Sequence, residues 1–297
     1  MVLSGRLPPG EMYPAGVPGL RERFISLASG MRVRVVESGP EDGPPIVFVP
    51  GWACGAWMFH ANLPALGAAG FRAIAVELKG HGLSDKPVSA EDYTLDAMRD
   101  HLIAILDALA LRVTGLVGHS MGAPIAAYAA SVIPDRVTGL VMVAPVGFAG
   151  VPGMWLFRAL TPEFALPFLS RASSRLVVWL MLVVVLRTRL PGRQEVDEFR
   201  APTQFPEFTR ALRHLIHRFE WKAKFPQLAL PRLVIVATRD HLSRSRDAER
   251  YAGDLPPLVV QGPGHVILDE APAIVNRALI DFFKAHSSPG YISTQNA

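Results

Sequence analysis

Apolar and polar positions along the chain follow two different periods, and the changes between them mark out the elements. From Phe24 to Leu27 and from Met31 to Glu37 the two kinds of residue take turns on either side of Ser29-Gly30, which predicts an antiparallel hairpin. Six further stretches are short, β-branched and apolar: Ile46–Val49, Arg72–Val76, Val113–Val117, Val137–Val143, Leu233–Ala237 and Leu258–Val260. Such runs fit strands of a parallel sheet covered on both faces. The period then changes. In Thr94–Ala110, residues Leu95, Met98, Leu102, Ile105, Leu106 and Leu109 recur at spacings of three and four, with Thr94 and Asp96 placed to cap the helix and favour its dipole. Ala123–Ile133 reads as a second helix. Ala271–His286 reads as a third, with a stripe of Ile274, Ala278, Leu279 and Phe282 behind acidic Asp269 and Glu270. Strand, helix and strand in succession predict an α/β fold built on a mostly parallel, doubly wound sheet of eight strands.

This rhythm stops between Val146 and Phe225, where prolines, aromatic residues and helix-like apolar stretches take over. Lying between two predicted strands, the insertion belongs over the carboxyl edge of the sheet, where open α/β sheets keep their ligand crevice, and it is read as a helical cap. The expected organisation is a flexible arm over 1–20, a first core part over 21–145, the cap over 146–225 and a second core part over 226–297. Leu176–Leu186 is eleven apolar residues between Arg175 and Arg187, against roughly 20 needed to cross a bilayer. It is expected either to be buried, as a helix or interior strand, or to be a greasy cap segment that lines a substrate pocket or touches lipid.

Composition narrows the function. Half of the residues are apolar and 19% are charged, which suits a sizeable core and not a disordered chain. The formal charge is only +4 and the basic residues are scattered, so no nucleic-acid partner is expected. Cys54 is the single cysteine, which excludes an intramolecular disulfide and suits a small buried filler. With one Arg, four Pro and no apolar run of signal length in residues 1–20, the reading is a cytoplasmic protein. Neither a metal-ligand cluster nor a phosphate-cradling glycine loop is visible, so no cofactor and no metal are expected. Oligomeric state stays open.

The chemistry centres on Gly118-His119-Ser120-Met121-Gly122, between a predicted strand and a predicted helix. A turn this sharp strains its central residue, and glycines two positions either side remove the side chains that would clash, so Ser120 is raised as a nucleophile. A serine hydroxyl needs a base near neutrality, in practice a histidine oriented by a carboxylate. Asp240 follows the strand Leu233–Ala237, and His265 lies in the tight loop Gly262-Pro-Gly-His265 after the last strand; both fall at the expected crevice, in the order Ser, Asp, His. Asp247 and Asp269 are rival acids. Among the other histidines, His60 and His81 lie on front-edge loops, His101 in a helix, His214 and His217 in the cap and His286 at the C-terminus. His119 is expected to pack or hydrogen-bond, and His241 to sit at the rim. Acyl transfer leaves charge on a carbonyl oxygen, for which backbone N–H groups are the usual answer. Met121 supplies the first, and Trp52, in Pro50-Gly51-Trp52-Ala53, supplies the second and can wall the acyl pocket with its indole.

From Phe24 to His286 the chain resembles the α/β-hydrolase fold family in its capped bacterial esterase and lipase branch. Gly80-His81-Gly82-Leu83-Ser84-Asp85-Lys86-Pro87 is similar to the loop these proteins carry after their fourth strand, Gly118–Gly122 to their elbow, and Asp240 and His265 to their acid and base. The family's His-Gly before the oxyanion residue is Pro50-Gly51 here, and its Gly three before the acid is Ala237. The resemblance implies hydrolysis of a small carboxylic ester with an apolar acyl or alcohol group. Ser at the elbow, where dehalogenase and epoxide-hydrolase relatives place Asp, speaks against those reactions. Two alternatives stay open: cleavage of another bond on the same fold (carbon-carbon, lactone or amide, or peracid formation), and a non-catalytic ligand-binding module.

Overall fold

In the computed structural model, which describes residues 5–166 and 174–286, eight strands join in one sheet. They are β1 (Leu20–Ser26), β2 (Arg32–Ser38), β3 (Pro45–Val49), β4 (Arg72–Val76), β5 (Thr114–His119), β6 (Val137–Val143), β7 (Arg232–Ala237) and β8 (Leu258–Val260). Their order is β1-β2-β4-β3-β5-β6-β7-β8; β1 and β2 run antiparallel, β2 and β4 likewise, and every later pair is parallel. Side chains alternate between two cores. Val47, Val49, Leu116, Val234 and Val236 face one layer, while Ile46, Phe48, Val117, Leu233 and Ile235 face the other.

Among the described residues the helices are α1 (Leu63–Ala68), α2 (Leu95–Ala108) and α3 (Gly122–Val132), then four in the segment between β6 and β7, and finally α8 (Ile267–Glu270) and α9 (Pro272–His286). The four are α4 (Met154–Leu160), α5 (Arg175–Val185), α6 (Arg193–Arg200) and α7 (Pro206–Arg218). Helices α2 and α3 bury their stripes against the first core; α1 and α9 pack on the second, where α9 turns in Val275, Leu279, Phe282 and Phe283 and leaves Ile274 of the expected stripe exposed. Thr94 caps α2 as its type suggests, its hydroxyl accepting from the Ala97 amide at 3.2 Å.

The structure decides between the two readings of Leu176–Leu186 and ties down part of the expected N-terminal arm. The run Leu176–Leu186 is neither a strand nor a buried helix: α5 buries Val178 and Leu182, while Leu176, Val177, Leu180, Met181 and Val184 stay exposed. A helix that is apolar all round carries no polar stripe to say which side faces water, so burial could not be read from its pattern. Near the N-terminus, Met12 and Tyr13 are buried. The Tyr13 amide donates to Glu198 of α6 at 2.8 Å, and its carbonyl accepts from the buried Arg34 guanidinium. Residues 1–4 of the expected arm, 167–173 of the expected cap and 287–297 of the second core part lie outside the described residues.

The site is fixed by strand order. Successive connections carry the chain from β3 to β4 on one side and from there to β5 on the other, so the loops leaving β3 and β5 diverge and leave a crevice at their carboxyl ends. Val49 pairs with Gly118, so Pro50-Gly51-Trp52 and His119-Ser120-Met121 leave the sheet side by side.

Candidate active site

Ser120 sits at the top of the turn with φ +53°, in the left-handed region that non-glycine residues rarely occupy. Its neighbours show why glycines flank it. A Cβ at Gly118 would stand 2.6 Å from the Ala123 Cα of α3, and one at Gly122 would collide with the Val49 and Pro50 carbonyls. Gly51 is constrained from the facing loop, since a Cβ there would lie 2.9 Å from the Ser120 Cβ. Hydrogen bonds hold the strained residue: its amide donates to the Val143 carbonyl at 3.0 Å and its carbonyl accepts from Val146 at 3.2 Å.

The structure brings the three predicted side chains together. His265 Nε2 lies 2.9 Å from Ser120 Oγ, and His265 Nδ1 lies 2.8 Å from Asp240 Oδ2. The other Asp240 oxygen accepts from the Leu242 and Ser243 amides at 2.8 and 3.1 Å. All three residues are buried. Burial pushes the Asp240 carboxyl upward, but His265 and the two amides outweigh it and hold the group below the usual carboxylate range. An ionised Asp240 keeps the imidazole proton on Nδ1 and leaves the Nε2 lone pair to take the hydroxyl proton. This is a relay able to raise the nucleophilicity of one hydroxyl.

Met121 stands at the start of α3, whose positive dipole end faces the turn that carries Ser120. Trp52 is half-buried, and its indole N–H donates to the Leu212 carbonyl of α7 at 3.2 Å, so the β3 loop is tied to the inserted helices. Cys54 is buried and burial pushes its thiol up to about 12, which leaves it an inert filler.

The rival residues are occupied elsewhere. Asp269 pairs with Arg189 and His60, and Asp247 with Arg250. His101 accepts from the Lys79 amide, His214 meets the Val88 carbonyl, His217 meets Thr161 and His286 meets the Phe282 carbonyl. The loop Gly80–Pro87 is structural: Glu77 accepts from the Ala56 and Leu83 amides and from Arg34, and a Cβ at Gly82 would overlap the Glu77 carboxylate. His81 is buried within this loop, and burial lowers it to about 4.

Two residues support His265: His119, in the packing and hydrogen-bonding role expected of it, and Glu270, which the sequence did not announce. His119 is held neutral, burial first and then the nearby His265 lowering it to about 3, and its Nε2 meets the His265 carbonyl at 3.1 Å. Glu270 grips two segments at once: Oε1 accepts from the Gly264 amide at 2.8 Å, and Oε2 accepts from the Arg187 and Thr188 amides, each at 2.7 Å. Next to this bracket the His265 amide donates to the Val185 carbonyl, the last residue of α5, at 2.9 Å. An acidic residue just ahead of α9 was the only sign of Glu270, and it pointed to a helix dipole.

A groove of about 700 Å³ lies beside the site at Leu242 and Ser243, whose amides donate to Asp240; Val146, Phe148 and Tyr251 line it together with the charged Lys222, Arg246 and Asp247, and Ser120, Asp240 and His265 do not.

Residues 44–272 match the family described as the alpha/beta hydrolase fold. An AB hydrolase superfamily protein of Bacillus subtilis is 26% identical over 283 residues, which cover 90% of this chain and 99% of that protein. Epoxide hydrolase A of Mycobacterium tuberculosis is 25% identical over 311 residues, covering 88% of this chain and 96% of that one. Among solved structures, epoxide hydrolase A from Mycobacterium thermoresistibile superposes with a TM-score of 0.73 at 23% identity, over 89% of this chain and 98% of its own.

Proposed function

The chain belongs to the α/β-hydrolase fold family, and on that premise we propose that it hydrolyses carboxylic esters with an apolar acyl or alcohol group through an acyl-enzyme on Ser120. The observation that carries this reading is the hydrogen bond from Ser120 Oγ to an imidazole that is itself backed by a buried carboxylate. His265 takes the hydroxyl proton as Oγ attacks the ester carbonyl, then gives it to the departing alcohol. Water repeats the sequence and frees the acid. Asp240 keeps the imidazole in the required tautomer and balances its transient charge. The Met121 and Trp52 amides receive the oxyanion, and the inserted helices act as the cap over the reacting groups. The reaction so written needs neither metal nor cofactor.

The relatives named epoxide hydrolases suggest a second reaction, and the nucleophile argues against it. A serine oxygen opening an epoxide would leave an alkyl ether. An ether has no carbonyl for water to attack, so the enzyme would stop after one event. An ester on the same oxygen turns over.

A paired assay separates the two. Short-chain nitrophenyl esters and a styrene-type epoxide are offered to the full chain and to its Ser120→Ala variant. Ester turnover that falls by about 10³-fold or more in the variant is expected, together with fluorophosphonate labelling of the parent alone. Undiminished ester turnover in the variant, or epoxide turnover exceeding ester turnover in the parent, would overturn the assignment.

A further inference from the structure

Helix α5 is apolar on every side, yet among the described residues only one side is covered. Val178 and Leu182 turn inward, while Leu176 (64% exposed), Leu180 (50%) and Val184 (65%) form a stripe toward solvent, widened by Val177 and Met181. At 1.5 Å per residue the stripe from Leu176 to Val184 is about 12 Å long. No described helix is long and apolar enough to cross a membrane. A second exposed apolar group precedes it in the same inserted segment, where Trp155 of α4 is 74% and Phe164 86% exposed. Isolated apolar side chains on a surface are ordinary; a whole helical face without one polar residue is not.

Charge says what covers it. Residues 146–225 hold twelve Lys and Arg against six Asp and Glu, while the rest of the chain holds eighteen against twenty. The protein's positive excess therefore lies wholly in the segment that carries the bare apolar helix, whose ends are marked by Arg175 and Arg187. A second copy set face to face would bring like charge against like charge. An anionic bilayer presents the opposite sign together with an acyl layer that accepts Leu, Val, Trp and Phe.

We propose that the outer face of α5, with the exposed aromatic residues of 155–164, is a docking surface for an anionic lipid membrane on which the protein lies without crossing it. The docking stands apart from which bond is cleaved, so it is tested by binding alone. The full-length chain carrying Ser120→Ala is sedimented with vesicles of phosphatidylcholine, with and without phosphatidylglycerol, at low and high salt. It is expected to partition onto the anionic vesicles, to be released in part by salt, and to lose about tenfold or more of its partition when Leu180→Gln and Val184→Gln are combined. Both side chains are exposed, so the double variant should fold, which far-UV circular dichroism checks. No partition onto anionic vesicles, or partition unchanged in the double variant, would sink the proposal. So would a dimer in solution that the same two substitutions dissolve, since the face would then be covered by a second copy.

Discussion

At the scale of single residues, the site depends on keeping one proton on one nitrogen. Asp240 accepts three hydrogen bonds and is held below the usual carboxylate range, so it stays ionised across the neutral region and fixes the His265 tautomer. Asp240→Asn keeps the shape but removes the charge, and its amide can present a donor where an acceptor is needed. Ester turnover is expected to fall on the order of 10³-fold or more with the melting temperature nearly unchanged, readable in a kcat series beside a thermal scan. A loss of activity that merely tracks unfolding would show that the carboxylate acts on stability alone. These residues were legible because each carries a local sign: glycines on both sides of Ser120, a strand end before Asp240, a glycine-bounded loop around His265. Glu270 has no such sign. Its partners at Arg187 and Thr188 are brought to it only by the folded chain, and no spacing rule encodes an acceptor for distant amides.

At the scale of elements, period and caps carried most of the information. Thr94 closes the N-terminus of α2 with a hydroxyl that accepts from Ala97. Thr94→Ala is expected to lower the unfolding free energy by about 1 kcal/mol, measured as a shift in the urea midpoint at constant m-value. A shift indistinguishable from zero would mean that packing alone holds the helix start. Strand β5 shows where pattern reading falls short. Its apolar run ends at Val117, but pairing with β3 and β6 extends it through His119, because Gly118 is shielded by the α3 backbone and sits in register opposite Val49. Helix α5 shows the opposite limit, since a uniformly apolar sequence states that a helix wants cover without stating on how many sides.

At the scale of the whole molecule, the inserted helices are joined to the core by buried polar contacts that respond to pH. Burial pushes the Glu198 carboxyl up to about 7, helped by Glu77 and Asp197 and opposed by the Tyr13 amide and Arg34. Its ordinary value is 4.5, so between roughly that pH and 7 the folded chain holds a proton that the unfolded chain has released. The contribution is complete below the lower value and is lost as pH rises through the higher one, on the order of 3 kcal/mol in all. Denaturation midpoints are therefore expected to fall from pH 5 to pH 8 by more in the parent than in Glu198→Gln. Equal pH slopes in the two proteins would refute this role.

The carboxylate of Glu270 also has a mechanical effect, because it staples the exit of α5 to the loop that carries the imidazole. Val185 and His265 are remote along the backbone but share a hydrogen bond, so the end of α5 and the loop that carries the imidazole are in direct contact. A displacement of α5 would therefore be felt first in the loop that holds His265, and ester turnover is expected to change when the helix is perturbed far from Ser120, as kcat of a variant altered only on its outer face would show.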